Sequence, residues 1–258
     1  MKLTINVSLD YHFDAPCDVL LQIEAATVAG QTISDAAITI TPGEHFARVP
    51  AQDHVGERIW LRIGGAMQVE YRASVDVSRL AADLTGLARV PLHCLPGEAV
   101  PYLMPSRYCP SNRFGDFVAA EFAGVEGGAK IAAMRDWVAA HLSYEPGASN
   151  AETTAADTFL DRKGVCRDYA HLMIALARAA DIPARVASVY APGATPPDFH
   201  AVAEVFLGGQ WHLVDATGMG AAHDMAIIGI GRDAGDVAFL TAFGPFEMNS
   251  QTVSVTAL

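Results

Sequence analysis

This 258-residue chain lacks three things, and each absence closes a class of function. It has no block of lysine or arginine, and 17 basic residues against 29 acidic ones leave a net charge of −12. A phosphate backbone would be repelled by such a surface, so nucleic acid is not an expected partner. Its apolar runs are short, and the longest, such as residues 172–177, stop well before the ~20 residues a membrane span needs. The N-terminal MKLTINVSLDYHF alternates polar and apolar residues like a strand and has no continuous apolar core of a signal peptide. A cytoplasmic protein with no membrane partner is expected. Finally, Cys17, Cys94, Cys109 and Cys166 are widely spaced with no CxxC pair, which argues against a zinc site and a disulfide framework. Reduced thiols, no metal and no cofactor are expected.

The length suits one large or two ordinary domains, and two are expected, 1–100 and 101–258. The first reads as short strands at residues 3–9, 19–24, 36–40, 46–49, 59–63 and 68–77. Turn signals such as Thr41-Pro42-Gly43-Glu44 and Gly64-Gly65 separate them, as in a β-sandwich or barrel. Pro91, Pro96, Pro101, Pro105 and Pro110 then punctuate a connector that is neither regular helix nor central strand. Arg107-Tyr108-Cys109 lies within it, placed to pack against the second domain. That domain opens with helices over 130–142 and 154–162, Thr153 or Thr154 being the N-cap of the latter. Strands follow over 184–190, 199–207, 210–215 and near 237–243 and 252–257. A helix layer followed by an antiparallel sheet is an α+β arrangement.

Chemistry gathers at Gly164-Val165-Cys166-Arg167-Asp168-Tyr169-Ala170-His171. From Cys166 onward, apolar residues at Tyr169, Leu172, Met173, Leu176, Ala177 and Ala180 give the recurrence of an amphipathic helix, which Asp181-Ile182-Pro183 ends. A thiol at a helix N-terminus faces unsatisfied N–H groups and the positive end of the macrodipole, which favour the nucleophilic thiolate. The octapeptide is equally compatible with a buried structural cysteine.

The partners decide between these readings. Thiolate chemistry needs a general base, usually histidine, held in one tautomer by a carboxylate or amide. Leu207-Gly208-Gly209-Gln210 reads as a two-residue hairpin loop, because Gly-Gly supplies the positive φ of primed turns. Leu207 then opposes Gln210, and counting outward sets Val202 against Asp215. His200 and Asp215 become diagonal neighbours on one face, roughly 7–8 Å apart at the backbone. His212 opposes Val205 and points to the other face. A loop one residue longer would reverse the parity.

Cys166, His200 and Asp215 thus form a Cys, His, Asp set in chain order. The stretches GVCRDYAHLMIALARAADIPARVASVY, DFHAVAEVFLGGQWHLVDAT and GIGRDAGDV resemble the bacterial transglutaminase-like superfamily of papain-fold cysteine enzymes over residues 100–258. The β-rich N-terminal part resembles the domain often found with that core. The resemblance implies Cys166 as nucleophile, His200 as general base and then acid, and Asp215 as the orienting carboxylate. It also implies acyl transfer or hydrolysis on peptide or carboxamide bonds through a thioester, with a peptide or protein as substrate. Homo-oligomers fit equally, and a non-catalytic binding or scaffold module on the same fold is the alternative. Two positions depart from the pattern. Ala201 stands where tryptophan often follows the histidine, and Leu160 stands where papain-type enzymes carry the oxyanion-hole glutamine. Only the backbone N–H of Cys166 is then nominated as oxyanion donor.

Other groups read as structural. Arg167 and Asp168 belong to the first helical turn, and His171 falls about 140° around the helix from Cys166. Gly231-Arg232-Asp233 with Asp236 reads as a charged turn, His223 and Asp224 as loop residues. Residues 194–198 read as a surface loop beside the site.

Overall fold

The computed structural model describes residues 1–80 and 83–258. The first strands are long rather than short. Strand β1 runs Lys2–Leu21, β2 Gln31–Ile40, β3 His45–Pro50 and β4 Glu57–Val77. The strict alternation of Leu3, Ile5, Val7, Leu9, Tyr11 and Phe13 turns one face of β1 inward, opposite Val69, Tyr71, Ala73, Val75 and Val77 of β4. Gly64-Gly65, expected as a turn, lies inside β4. There the β1–β4 register shifts between Phe13 and Cys17, and Gly65 takes φ +77°. The two glycines therefore bend one strand instead of separating two.

The α+β core follows. Its elements are α1 (Gly115–Glu121), α2 (Gly127–His141), β5 (Ser143–Tyr144), α3 (Ala155–Asp161), β6 (Lys163–Gly164), α4 (Cys166–Ala179), β7 (Ala184–Tyr190), β8 (His200–Leu207), β9 (Gln210–Val214) and β10 (Ala226–Gly231). Strands β7 to β10 form an antiparallel sheet in the order β10-β7-β8-β9. Thr154 caps α3 in a capping box with Asp157, and Arg162 ends that helix in the left-handed conformation. Helix α4 carries the expected apolar stripe, yet it is buried from Asp168 to Arg178 on all sides, because α1 to α3 and residues 104–109 cover the face turned away from the sheet.

The chain then returns. Strands β11 (Leu240–Ala242) and β12 (Glu247–Ala257), expected to finish the second sheet, both pair antiparallel with β1. The first sheet therefore has six strands, β12 lying along the first half of β1 and β11 along its end. A strand's partner is fixed by which edge is open when it arrives, and residue alternation does not encode that. The two sheets share packing: Tyr190 joins the first core and stacks on Tyr71 with ring centroids 6.4 Å apart. The Gln31 amide clasps Ile227, its Nε2 donating to the carbonyl at 2.9 Å and its Oε1 accepting from the N–H at 2.8 Å.

Arg178 holds the linker to this core. Buried to 3% exposure, its guanidinium donates to the carbonyls of Ala184 (2.8 Å), Met104 (3.0 Å) and Arg232, and to Ser106 Oγ (2.9 Å). Cys109 is fully buried beside it, and burial pushes that thiol upward, away from the thiolate. Replacing Arg178 by Met strands the buried Ala184 carbonyl and the part-buried carbonyls of Met104 and Arg232, so unfolding by urea is expected to reveal a loss of about 3 kcal/mol. An unchanged midpoint would remove the clamp from this account.

Candidate active site

The site begins with a glycine that has no room for a side chain. A Cβ on Gly164 would lie 2.6 Å from the Asp168 Cβ and 2.7 Å from its Oδ2. Asp168 needs that space, since at 1% exposure its Oδ2 accepts the Val165 N–H at 2.8 Å and the Ser149 hydroxyl at 2.5 Å. This is the N-terminal capping bond of α4, and the Asp168 N–H returns to the Val165 carbonyl at 2.8 Å. Arg167 bridges Asp168 (3.2 Å) to the Asn150 carbonyl (2.8 Å). Cys166 is thus the first residue of a rigidly capped helix, and its residue is half-exposed.

The hairpin has the expected register. Leu207 opposes Gln210, Val205 opposes His212 and Ala203 opposes Val214, around Gly208 and Gly209 with φ of 58° and 84°. His200 opens β8 and Asp215 follows β9 directly. His200 Nε2 lies 2.9 Å from Asp215 Oδ2. His212 is turned away, with its Nε2 3.2 Å from the Leu207 carbonyl. Helix α4 packs on the Ala203, Val205 and Leu207 face, opposite in parity to His200. The three residues sit where their elements end: Cys166 is the first residue of α4, His200 the first of β8, and Asp215 lies just past β9.

Asp215 Oδ1 also accepts the N–H (2.8 Å) and hydroxyl (2.7 Å) of Thr217, and Oδ2 accepts the Gly220 N–H (3.1 Å). Burial opposes its charge, but the bonds from His200 and Thr217 win and hold the carboxyl below its ordinary value. For His200, burial likewise opposes the charged form. The hydrogen bonds to Asp215 and Cys166, with their negative charge, outweigh it and raise the imidazole to about 9. Nε2 is taken by Asp215, leaving Nδ1 for the thiol side.

Tyr144, just past the helix expected over 130–142, is a neighbour of Cys166 that the sequence did not single out. The parallel bridge of β5 with β6 pairs Tyr144 with Gly164, and the Glu145 N–H donates to the Gly164 carbonyl at 2.9 Å. Its ring packs on Tyr169 with centroids 6.0 Å apart. Burial, then the charge of the neighbouring Cys166, raises the phenol to about 12. Leu160, at the glutamine position, is 72% exposed on α3 and offers no donor.

The remaining candidates are structural. His171 is fully buried, stacked on Tyr108 at 5.3 Å, and accepts the Ala234 N–H at 3.1 Å; burial lowers it to about 4. Tyr108 donates its N–H to Asp233 Oδ2 at 2.9 Å, and Arg232 pairs with Asp236 at 2.8 Å. Among the described residues no three His, Cys, Asp or Glu side chains converge as a metal site. No helix among them is long and apolar enough to cross a membrane. A cavity of about 640 Å³ borders Asp215 along β9 but touches neither Cys166 nor His200.

The model of the transglutaminase-like superfamily matches residues 118–216, from α1 to the residue after Asp215. A crystal structure from Cytophaga hutchinsonii, described as a candidate cysteine protease, superposes on all of this chain and 91% of its own, with TM-score 0.93 and 33% identity. The chain belongs to the transglutaminase-like superfamily. The periplasmic domain of TgpA from Pseudomonas aeruginosa shares 21% identity over 83% of this chain and 76% of its own, with TM-score 0.44. An uncharacterized protein of Mycobacterium leprae is 29% identical over 145 residues, 53% of this chain and 52% of that protein. The chain thus spans about half the length of that curated relative.

The His200–Asp215 pair makes stability depend on pH in a stated window. The raised imidazole contributes fully below its unfolded value of 6.5 and loses that contribution as pH rises through about 9. The lowered carboxylate contributes above its unfolded 3.8 and is lost as pH falls through its native value. The stability gap between wild type and His200→Asn, followed by thermal unfolding, is expected to be widest between 3.8 and 6.5 and to narrow up to about pH 9. A gap independent of pH would contradict the ion pair.

Proposed function

We propose that this transglutaminase-like protein is a cysteine enzyme that transfers the acyl group of a peptide or carboxamide, chiefly to water. The Asp215–His200 pair, with the imidazole raised to about 9 beside Cys166, carries the reading. At neutral pH such a histidine holds a proton while the sulfur is free to attack.

The Cys166 thiolate attacks the amide carbonyl carbon, forming a C–S bond and pushing the carbonyl electrons onto oxygen. As that oxyanion collapses, the C–N bond breaks, and the imidazolium of His200 gives its proton to the leaving nitrogen. The amine departs and a thioester remains. Water then adds to the thioester carbonyl while neutral His200 removes its proton. Collapse expels the Cys166 thiolate, releases the carboxylic acid and leaves His200 protonated as at the start. Asp215 stays ionised throughout and keeps Nε2 as its donor.

The oxyanion needs donors where it forms. The backbone N–H of Cys166 is one, and the Tyr144 phenol, kept protonated by its raised value of about 12, is the second. Tyr144 takes the place that Leu160 leaves empty.

Cys166→Ala is expected to abolish the thioester adduct formed with an activated amide probe, read by mass spectrometry; an adduct persisting elsewhere in the chain overturns the assignment. His200→Ala should lose far more activity than His212→Ala, and equal losses would count against the pairing. An unlabelled wild-type protein would return the chain to the binding-module reading. Tyr144→Phe separates the donor from the nucleophile. Acylation should slow by about 10²-fold, whereas alkylation by iodoacetamide, which forms no oxyanion, should change far less.

A further inference from the structure

We propose that the groove between residues 191–198 and the open edge of β12 is a subsite for a lysine or arginine side chain of the peptide substrate, recognised by the Asp198 carboxylate. The inference rests on the reading of Cys166 as the nucleophile and adds the class of peptide it accepts.

The groove is a cavity of about 420 Å³, within the ordinary range for ligand pockets. Five consecutive β12 residues, Gln251 to Val255, line it. Alternate residues of a strand face opposite sides, so a cavity that touches all five runs along the strand's edge. Among the described residues β12 has one partner strand, β1, which leaves the other edge with unpaired N–H and C=O groups. An extended peptide laid there pairs its main chain with β12, in the manner of added strands.

Among the described residues, Asp198 is the one charged side chain lining the groove. It lies two residues before His200, where the bend over 195–198 enters β8. A side chain gripped by Asp198 therefore belongs to a residue near the scissile amide.

The carboxylate is held for this purpose by the N-terminal sheet. Tyr11, 2% exposed in that core, donates its hydroxyl to Gln251 Oε1 at 3.0 Å. That bond fixes which way the Gln251 amide points, and its Nε2 donates to Asp198 Oδ1 at 2.7 Å. The Phe199 N–H donates to the same oxygen at 2.7 Å. Among the described residues Oδ2 receives no donor. One oxygen is pinned and the other is available to an ammonium or guanidinium, which gives a charge-assisted bond. Asp198 acts as a specificity residue, with Gln251 and Tyr11 positioning it.

The test uses the full chain and epoxysuccinyl peptides extended in both directions from the reactive carbon. Lys, Gln or Glu is scanned over three positions on each side, and second-order labelling of Cys166 is read by mass spectrometry. At one position the Lys probe should react about tenfold faster than the Gln probe and the Glu probe more slowly still. Asp198→Asn should bring the Lys rate down to the Gln rate, Asp198→Lys should invert the order in favour of Glu, and Gln251→Leu should shrink the Lys preference. Equal Lys and Gln rates at every position, or a preference that survives Asp198→Asn, overturns the subsite while leaving the nucleophile intact. Failure of every probe to label Cys166 in the folded protein overturns the nucleophile, and the subsite with it.

Discussion

One buried carboxylate ties Cys166 to its surroundings. Asp168 accepts the Val165 N–H, the Ser149 hydroxyl and the Arg167 guanidinium at once. An unpaired charge at 1% exposure would be strongly destabilising, so these bonds and the positive end of α4 are what let it remain there. The consequences spread outward. Gly164 has no freedom to be another residue, because any Cβ would displace the cap. Ser149 and Asn150 are drawn onto the helix start through Asp168 and Arg167, which fixes the segment following β5. Tyr144, at the end of β5, is thereby presented to the same sulfur that the cap positions.

His200 and Asp215 are subject to the opposite tension. Both are nearly buried, and burial disfavours a charge on each. The pair is viable because Asp215 receives four hydrogen bonds, one from His200, two from Thr217 and one from Gly220. That satisfies the carboxylate without neutralising it, so the imidazole can hold its proton at neutral pH. Placing the three residues at element ends serves the same purpose. An interior strand histidine would be enclosed by its neighbours, whereas the first residue of β8 can be desolvated by the protein and still face the thiol.

What the sequence carried was local. The Gly-Gly loop set the β8–β9 register, so His200, Asp215 and the rejection of His212 all followed from counting outward from one turn. The α4 stripe was legible for the same reason, although its burial on every side was not, because the covering segments come from residues 104–122 and 131–159. Partners set by long-range pairing stayed hidden. Tyr144 meets Cys166 only through a two-residue parallel bridge across the whole of α3, and no periodicity marks so short a ladder. Gly64-Gly65 looked like a turn because the residues that permit a turn also permit a bend, and the long partner strand β1 decided between them.

The return of β12 was equally invisible, and it changes what the N-terminal sheet does. The Tyr11–Gln251 bond spans 240 residues of sequence, and the β1–β12 ladder joins nearly the two ends of the chain. Contacts that distant cost much loop-closure entropy and form only with wide support. Here the support is the core of Leu3, Ile5, Val7, Leu9 and Tyr11, with Val253 buried against it. An alternating apolar strand at the start of the chain is therefore what holds Gln251 in place, and Gln251 holds Asp198 two residues from His200. Through that relay the first sheet reaches the cleft without contributing a residue to the chemistry. Without the first sheet, Asp198 would lose its bond from Gln251 and the groove would lose the β12 edge that lines it.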